Sequence, residues 1–385
     1  MKVTASACSA RGLASCSAVL LALLVHGVVP RVASADGPRP GANPVVLESR
    51  ARVEVLHWVG EGKTLVFGGR LQAGEPDWSA EARFLDQDKT VRLPGLGESH
   101  SLAASPDGGT VVGVERVGGV TSAEFRFVDV RKREQKKALT VDVKERLFTA
   151  QAVAFSRDGT TLACAGYSAT PTIEQGSDNI QSRLLLLDLK TGKVLADLAR
   201  KDDVINAVAF SPDGKFLVTG HNVIDKEKPG VRVWDVEKAA LVKEWPAKRQ
   251  SVTGVAVSPD GKHVASVGYS SKLPKDGDDF KGWEWDNHVT VHDIKTGELV
   301  TTFKGHTRSP VCVAFSPDGL LASGGADKAV KIWKVGSEES LHTFTGHTAQ
   351  LRALAFAPDG KRLASGGLEK GVYIWDMSSV KKAAK

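Results

Sequence analysis

His288 and His292 are four residues apart, the spacing at which two imidazoles on one helix face can share a metal ion. The residues around them, Val289-Thr290-Val291-His292-Asp293, alternate as a strand does. On a strand the two rings would stand about 13 Å apart by rise per residue, so they do not form a chelating pair. The acidic run Asp276-Gly277-Asp278-Asp279 has some calcium-loop character. An EF-hand loop starting at Asp276 needs glycine and glutamate where this chain has Lys281 and Asn287. No phosphate-cradling glycine loop, HExxH, CxxC or GxSxG occurs. The sequence therefore predicts no catalytic residue, no metal ligand and no cofactor.

The chemistry that remains is that of binding. Between Tyr269 and Asn287, Phe280, Trp283 and Trp285 sit among Asp276, Asp278, Asp279 and Lys281. Aromatic anchors in a charged surround suit a protein interface. Three such rings bury roughly 450 to 600 Å², against about 800 Å² per partner in an ordinary interface. Tyr269, Tyr167 and Trp78 are therefore expected to contribute from this and neighbouring segments. The alternative is that Trp283 and Trp285 fold back over the sheet below them.

The elements that position this stretch are repeats. Ser105-Pro106-Asp107-Gly108, Ser156-Arg157-Asp158-Gly159, Ser211-Pro212-Asp213-Gly214, Ser258-Pro259-Asp260-Gly261, Ser316-Pro317-Asp318-Gly319 and Ala357-Pro358-Asp359-Gly360 are six copies of one turn. Proline presets φ, aspartate bonds its own backbone, and glycine accepts positive φ. Before each stands a short apolar run, such as Ala207-Val208-Ala209-Phe210. After each come a second strand, a third ending near an Asp (Val233-Trp234-Asp235, Ile374-Trp375-Asp376) and a short fourth. Both faces of these strands are apolar, so sheets must stack on both sides. Four strands per unit of about 40 to 45 residues is a propeller-blade pattern.

These residues resemble the WD40 family, with Gly305-His306 and Gly346-His347 where that family has its GH dipeptide. The resemblance implies a hydrogen-bonded chain inside a blade, made by His306, Ser323, Asp327 and Trp333 in one repeat. His347, Ser365, Glu369 and Trp375 make it in the next, with Glu369 where the family has Asp. A degenerate unit upstream (Val53 to Trp58, Thr64 to Phe67, Phe84-Leu85-Asp86) brings the count to seven. The last unit has three strands, and the resemblance implies that Pro44 to Glu48 supplies its fourth. The fold class expected is all-β: a seven-bladed propeller of four-stranded antiparallel blades over residues 44–378, closed by an N-terminal strand and followed by a solvated basic tail, 379–385.

The turn aspartates are 51, 55, 47, 58 and 41 residues apart, so the compact repeat is near 41 and the others carry insertions. From turn Asp to the end of the third strand the count is 16 from Asp318 but 33 from Asp260, which puts the surplus between second and third strands. The enlarged segments are Gly69 to Ala80, Tyr167 to Ser182, His221 to Gly230 and Tyr269 to Glu284. In WD40-like propellers this connection lies on one face, where long loops build a binding rim.

Residues 1–35 contain Lys2, Arg11 and Arg31, no acidic residue, an apolar run from Ala18 to Val29, and Ala33-Ser34-Ala35. They read as a signal peptide cleaved after Ala35, with 36–43 a linker. Cleavage removes those three cations and lowers the formal charge from +6 to +3. It also leaves Cys164 and Cys312 alone in an oxidising compartment, too few for a disulfide framework. Nothing calls for nucleic acid or for membrane insertion after cleavage. The reading is an exported monomer, periplasmic or extracellular, that binds protein partners without catalysis. An enzyme or small-ligand receptor using the central channel mouth is the competing class.

Overall fold

The computed structural model describes residues 44–71, 78–96, 99, 101–116, 122–142, 147–169, 181–201, 203–223, 228–270 and 286–383. The proposed leader and linker, and most of the aromatic stretch, lie outside them. β1 (Val45–Leu47) precedes the first repeat, which is β2 (Val55–Val59), β3 (Thr64–Arg70), β4 (Trp78–Phe84) and β5 (Lys89–Arg92). The second is β6 (Leu102–Ala104), β7 (Thr110–Arg116), β8 (Ser122–Asp129) and two short outer pieces, β9 (Glu134–Gln135) and β10 (Leu139–Asp142). The third is β11 (Leu147–Phe155), β12 (Thr161–Ala169), β13 (Gln181–Asp188) and β14 (Val194–Lys201). The fourth is β15 (Asp203–Phe210), β16 (Phe216–Val223), β17 (Pro229–Asp235) and β18 (Ala240–Pro246). The fifth is β19 (Ser251–Val257), β20 (His263–Tyr269), β21 (Val289–Asp293) and β22 (Leu299–Phe303). The sixth is β23 (Pro310–Phe315), β24 (Leu320–Gly325), β25 (Val330–Lys334) and β26 (His342–Phe344). The last is β27 (Leu351–Phe356), β28 (Arg362–Gly367) and β29 (Val372–Asp376), followed by α1 (Ser378–Ala383).

Each repeat is an antiparallel sheet in chain order, and β1 adds to β29 with Val45 opposite Ile374 and Leu47 opposite Val372. The fourth and fifth repeats join into one curled sheet through a single pair, Asn222 opposite Ser251. The result is β-propeller-like. Apolar side chains collect between neighbouring sheets: Val112, Phe125, Val153 and Leu185 between the second and third repeats, Val218, Val233, Val252 and Val264 between the fourth and fifth. Another cluster joins the two ends of the chain, with Leu56, Leu65 and Phe67 against Ala353, Val372 and Ile374. The Trp58 indole donates to the Ala355 carbonyl across the same boundary at 2.9 Å.

The repeated turn is tighter than its Pro-Asp-Gly chemistry alone requires. In the second repeat Ser105 donates its hydroxyl to Asp107 at 2.5 Å and accepts the Thr110 N–H at 2.9 Å, while Gly108 N–H returns to the Ser105 carbonyl at 2.8 Å. Serine thus ties the end of the first strand to the start of the second. Ser156, Ser211 and Ser258 repeat the pattern. The first strands of the third to last repeats carry the same register shift, for instance between Ile205 and Ala207 and between Pro310 and Cys312, a bulge that adds twist.

Two expectations change here. The described part of the basic tail is not merely solvated: Ser378–Ala383 is a helix whose Val380 packs with Met377 into the last core cluster, and Lys381 Nζ pairs with Asp318 at 2.9 Å. The enlarged segments are also partly strand, because hairpins extend before they turn. Arg70 still pairs with Trp78, Tyr167 with Ser182, and His221 lies within β16.

Candidate interaction surface and its supporting networks

In the sixth repeat the Trp333 indole Nε1–H on β25 donates to the Ser323 hydroxyl on β24 at 2.7 Å. The hydroxyl meets His306 Nε2 at 2.7 Å, and His306 Nδ1 meets the Asp327 carboxylate at 2.7 Å. A carboxylate only accepts, so Nδ1 carries the proton and Ser323 donates to Nε2. Burial pushes the Asp327 carboxyl up, and His306 with two backbone amides outweighs it, leaving the carboxyl below its usual range. The last repeat builds the same relay: Trp375 to Ser365 at 2.7 Å, Ser365 to His347 Nε2 at 2.6 Å, and His347 Nδ1 to Glu369. Glutamate's extra methylene is accommodated because its second oxygen also accepts the Thr348 and Ala349 N–H groups, each at 2.6 Å.

A serine–histidine–carboxylate order is that of a hydrolase nucleophile. Here Ser323 and Ser365 are both 0% exposed and occupied by an indole donor, so no substrate reaches them. The relays hold loops onto sheets.

The fourth repeat contains a relay that sequence reasoning missed. Trp234 Nε1 donates to Thr219 at 2.9 Å, and Thr219 meets His221 Nε2 at 2.7 Å, but this histidine is two residues further along β16 instead of preceding the sheet. Its Nδ1 faces Asp203 Oδ1 at 3.3 Å and Arg232 Nη1 at 2.8 Å, and Arg232 also donates to Asp203 Oδ2 at 2.5 Å. Burial raises the Asp203 carboxyl, and the His221 and Arg232 contacts outweigh it, holding it at about 2. The available signal was His221 standing two residues past Thr219, where Ser323 and Ser365 are followed by Gly325 and Gly367.

The fifth repeat has His292 where its neighbours have tryptophan. The ring stacks on Trp245 of the preceding sheet, centroids 5.1 Å apart, as Trp333 stacks on Phe303. Ser266, without an indole donor, pairs with Thr290 at 2.9 Å. The buried Arg249 donates to the Ala247 carbonyl and pairs from Nε with Asp286 at 3.0 Å; Asp286 is the first described residue after the long connection. A buried arginine thus anchors one end of that connection.

Because strands alternate in direction, the Ser-x-Asp-Gly turns lie at one end of each sheet and the second-to-third connections at the other. The described ends of all four enlarged hairpins point to that second end. Tyr269 is there and 39% exposed; Tyr167 is half-buried inside its hairpin. Trp78 is a correction: at 1% exposed it packs in the core beside Leu102 and Gly68, where no Cβ blocks its ring, and it offers nothing to a partner. Asp278, Asp279, Phe280, Lys281, Trp283 and Trp285 lie outside the described residues. Cys164 and Cys312 are both free and buried, and burial pushes the Cys312 thiol up to about 12. Among the described residues no three His, Cys, Asp or Glu side chains gather to hold a metal, and no helix is long and apolar enough to cross a membrane.

The family profile described as WD domain, G-beta repeat matches residues 192–235, 240–274, 297–334 and 338–376. Residues 192–376 carry WD40 repeats. The third and fourth WD40 matches each begin near the outer strand of one sheet and end with the third strand of the next, so the sequence unit straddles two sheets. This is the offset that leaves β29 a vacant edge for β1. The chain is similar to Protein groucho of Drosophila melanogaster, 30% identical over 144 residues, covering 36% of this chain and 16% of that protein. It is also similar to WD repeat-containing protein SL1-17 of Schistosoma mansoni, 30% identical, covering 41% of this chain and 46% of that one. Anaphase-promoting complex subunit cdc20 of Dictyostelium discoideum is 29% identical, covering 37% and 25%. The chain thus spans less than half the length of each of these relatives.

Proposed function

We propose that this chain is a non-catalytic protein-binding platform: a closed seven-bladed propeller, exported after loss of residues 1–35, that meets its partner at the end of the sheets carrying the long connections. The observation that carries the reading is that the connection between second and third strands is longest in the first, third and fifth repeats, where 71–77, 170–180 and 270–288 separate the strands, and that all three lie at that one end. Closure is supported by the first strands, which touch in chain order from β2 to β27, with β27 against β2, and by the pairing of β1 with β29. The buried serine–histidine relays favour binding over catalysis, since they hold the ends of loops without exposing a nucleophile. One relative is by name a subunit of a larger complex, and partner binding in an assembly is the use proposed here.

The test is capture of partners from the exporting cell by wild type and by a folded Phe280→Ala, Trp283→Ala variant. Selective loss of a partner from the variant supports the reading. Equal recovery of every partner removes it.

A further inference from the structure

At the opposite end of the sheets, between the second and third repeats, a groove of about 760 Å³ opens beside the repeated turns. Its apolar lining is Phe127, Leu139, Phe155 and Leu189, the half-buried fringe of the core cluster between those two sheets. The core is therefore left uncovered at this point.

The rim is cationic. Lys137, Arg157 and Lys190 line it, are exposed, and have no ion pair among the described residues. Lys136 bonds the Thr110 hydroxyl at 2.6 Å and stands 3.9 Å from Asp129. The groove's two carboxylates offset only part of this charge: Lys136, Lys137, Arg157 and Lys190 face Asp107 and Asp158, which leaves the rim positive, and the carboxylate oxygens are engaged by their own turns. Asp107 accepts from Ser105 and the Gly109 N–H, and Asp158 from Ser156 and from both the N–H and hydroxyl of Thr160. Those hydrogen bonds also hold both carboxyls below the usual range.

Arg157 adds a second, independent sign. Of the six repeated turns, five have proline at this position, and the third repeat alone has arginine. Proline restrains the unfolded chain and presets the turn. Replacing it with an exposed, unpaired arginine forgoes that stabilisation and adds only charge at the groove.

We infer that this groove binds an extended acidic peptide segment with one aromatic or aliphatic anchor: the anchor covers Phe127, Leu139, Phe155 and Leu189, and flanking carboxylates meet Lys137, Arg157 and Lys190. A nucleic acid or an anionic lipid surface would match the rim but leave the apolar floor bare. This surface is separate from the long-connection end, and either can fail without the other.

The test is fluorescence anisotropy of the full chain with a labelled probe, Gly-Asp-Glu-Leu-Phe-Asp-Glu-Gly. Two control probes replace Leu-Phe by Ser-Ser, or the acidic residues by their amides. Wild type is expected to bind the parent probe saturably, less tightly as salt rises, and both controls at least about tenfold more weakly. Arg157→Pro with Lys190→Glu restores the sibling turn and inverts one charge, so the variant should keep its melting temperature and lose about tenfold in affinity. Absence of saturable binding overturns the inference, as does full affinity in the variant. Equal binding of the Ser-Ser probe also overturns it, and a match by single-stranded RNA or phosphatidylserine vesicles would then assign the rim to polyanions.

Discussion

Asp203 and His221 meet at 3.3 Å inside the fourth repeat, with Arg232 in contact with both. The aspartate comes from the first residue of the sheet and the histidine from the second strand, so the relay of the sixth repeat is kept while two members exchange positions. The arginine ties the exchanged pair together: its Nη1 donates to Asp203 Oδ2 at 2.5 Å and stands 2.8 Å from His221 Nδ1. Asp203→Ala should cost about 3 kcal/mol, because it leaves the buried guanidinium with only the partly exposed Glu244 as a carboxylate partner among the described residues. Urea denaturation measures this. A loss below about 1 kcal/mol, the value of an exposed pair, would mean that the network carries no stability.

The same carboxylate fixes an acid limit. Its folded pKa of about 2 lies below the ordinary aspartate value, so its contribution is present at neutral pH and lost as pH falls through about 4 toward 2. Asp327 and Glu369 are displaced in the same direction, with histidine hydrogen bonds outweighing burial. Chemical denaturation at pH 7, 4 and 3 should show stability dropping mainly between the last two for these groups. In the Asp203→Ala variant that drop should be shallower.

His292 acts in a different window. Burial and the nearby Arg249 charge lower it to about 4, so the folded protein holds it neutral while the unfolded chain protonates it near 6.5. Between those values the unfolded state binds the extra proton, and stability falls as pH drops from 6.5 to 4. His292→Phe keeps a ring against Trp245 and has nothing to titrate. It should flatten this part of the stability profile, and an unchanged slope would show that another group is responsible.

The legible parts of this fold are those whose partners are close in sequence or held at fixed spacing. The turn from Ser211 to Phe216 is closed by residues five apart, so it appears as a motif. The relays through Trp333 and Trp375 are legible because four residue types recur at matching intervals. Asp203, His221 and Arg232 were not, because each is an ordinary choice for a polar hairpin: His221-Asn222 reads as a loop entrance until the backbone shows β16 running on to Val223. Trp78 misled for a related reason. Sequence places it beside an insertion, but whether such a ring points outward depends on Gly68 of the neighbouring strand and Leu102 of the next sheet, which spacing does not reveal.

The central hydroxyl of the sixth-repeat relay serves two partners, so its loss is costlier than one hydrogen bond. Ser323→Ala leaves the Trp333 indole N–H without its acceptor and His306 Nε2 without its donor, both in a site that excludes water. At about 1 to 3 kcal/mol for each stranded group, the variant should lose about 3 kcal/mol by urea denaturation. Ser323→Thr, which restores the hydroxyl that Thr219 supplies in the fourth repeat, should recover most of it.

The N-terminal strand makes the most direct statement about assembly. Val45 and Val46 are mostly exposed, so β1 stabilises chiefly through its ladder with β29 and through Leu47, which is 8% exposed and sits in the cluster joining the chain's two ends. Removing residues 44–49 uncovers the edge of β29 from Val372 to Ile374 and opens that cluster to water. An uncovered edge also invites pairing with another chain. The truncated protein should melt more than about 5 °C lower, since each kcal/mol shifts a chain of this size by a few degrees. It should also gain a concentration-dependent aggregate by light scattering. An unchanged melting curve would mean that the last sheet is complete without β1, and that the two ends of the chain are held together by the contacts of β2 with β27 and β28 alone.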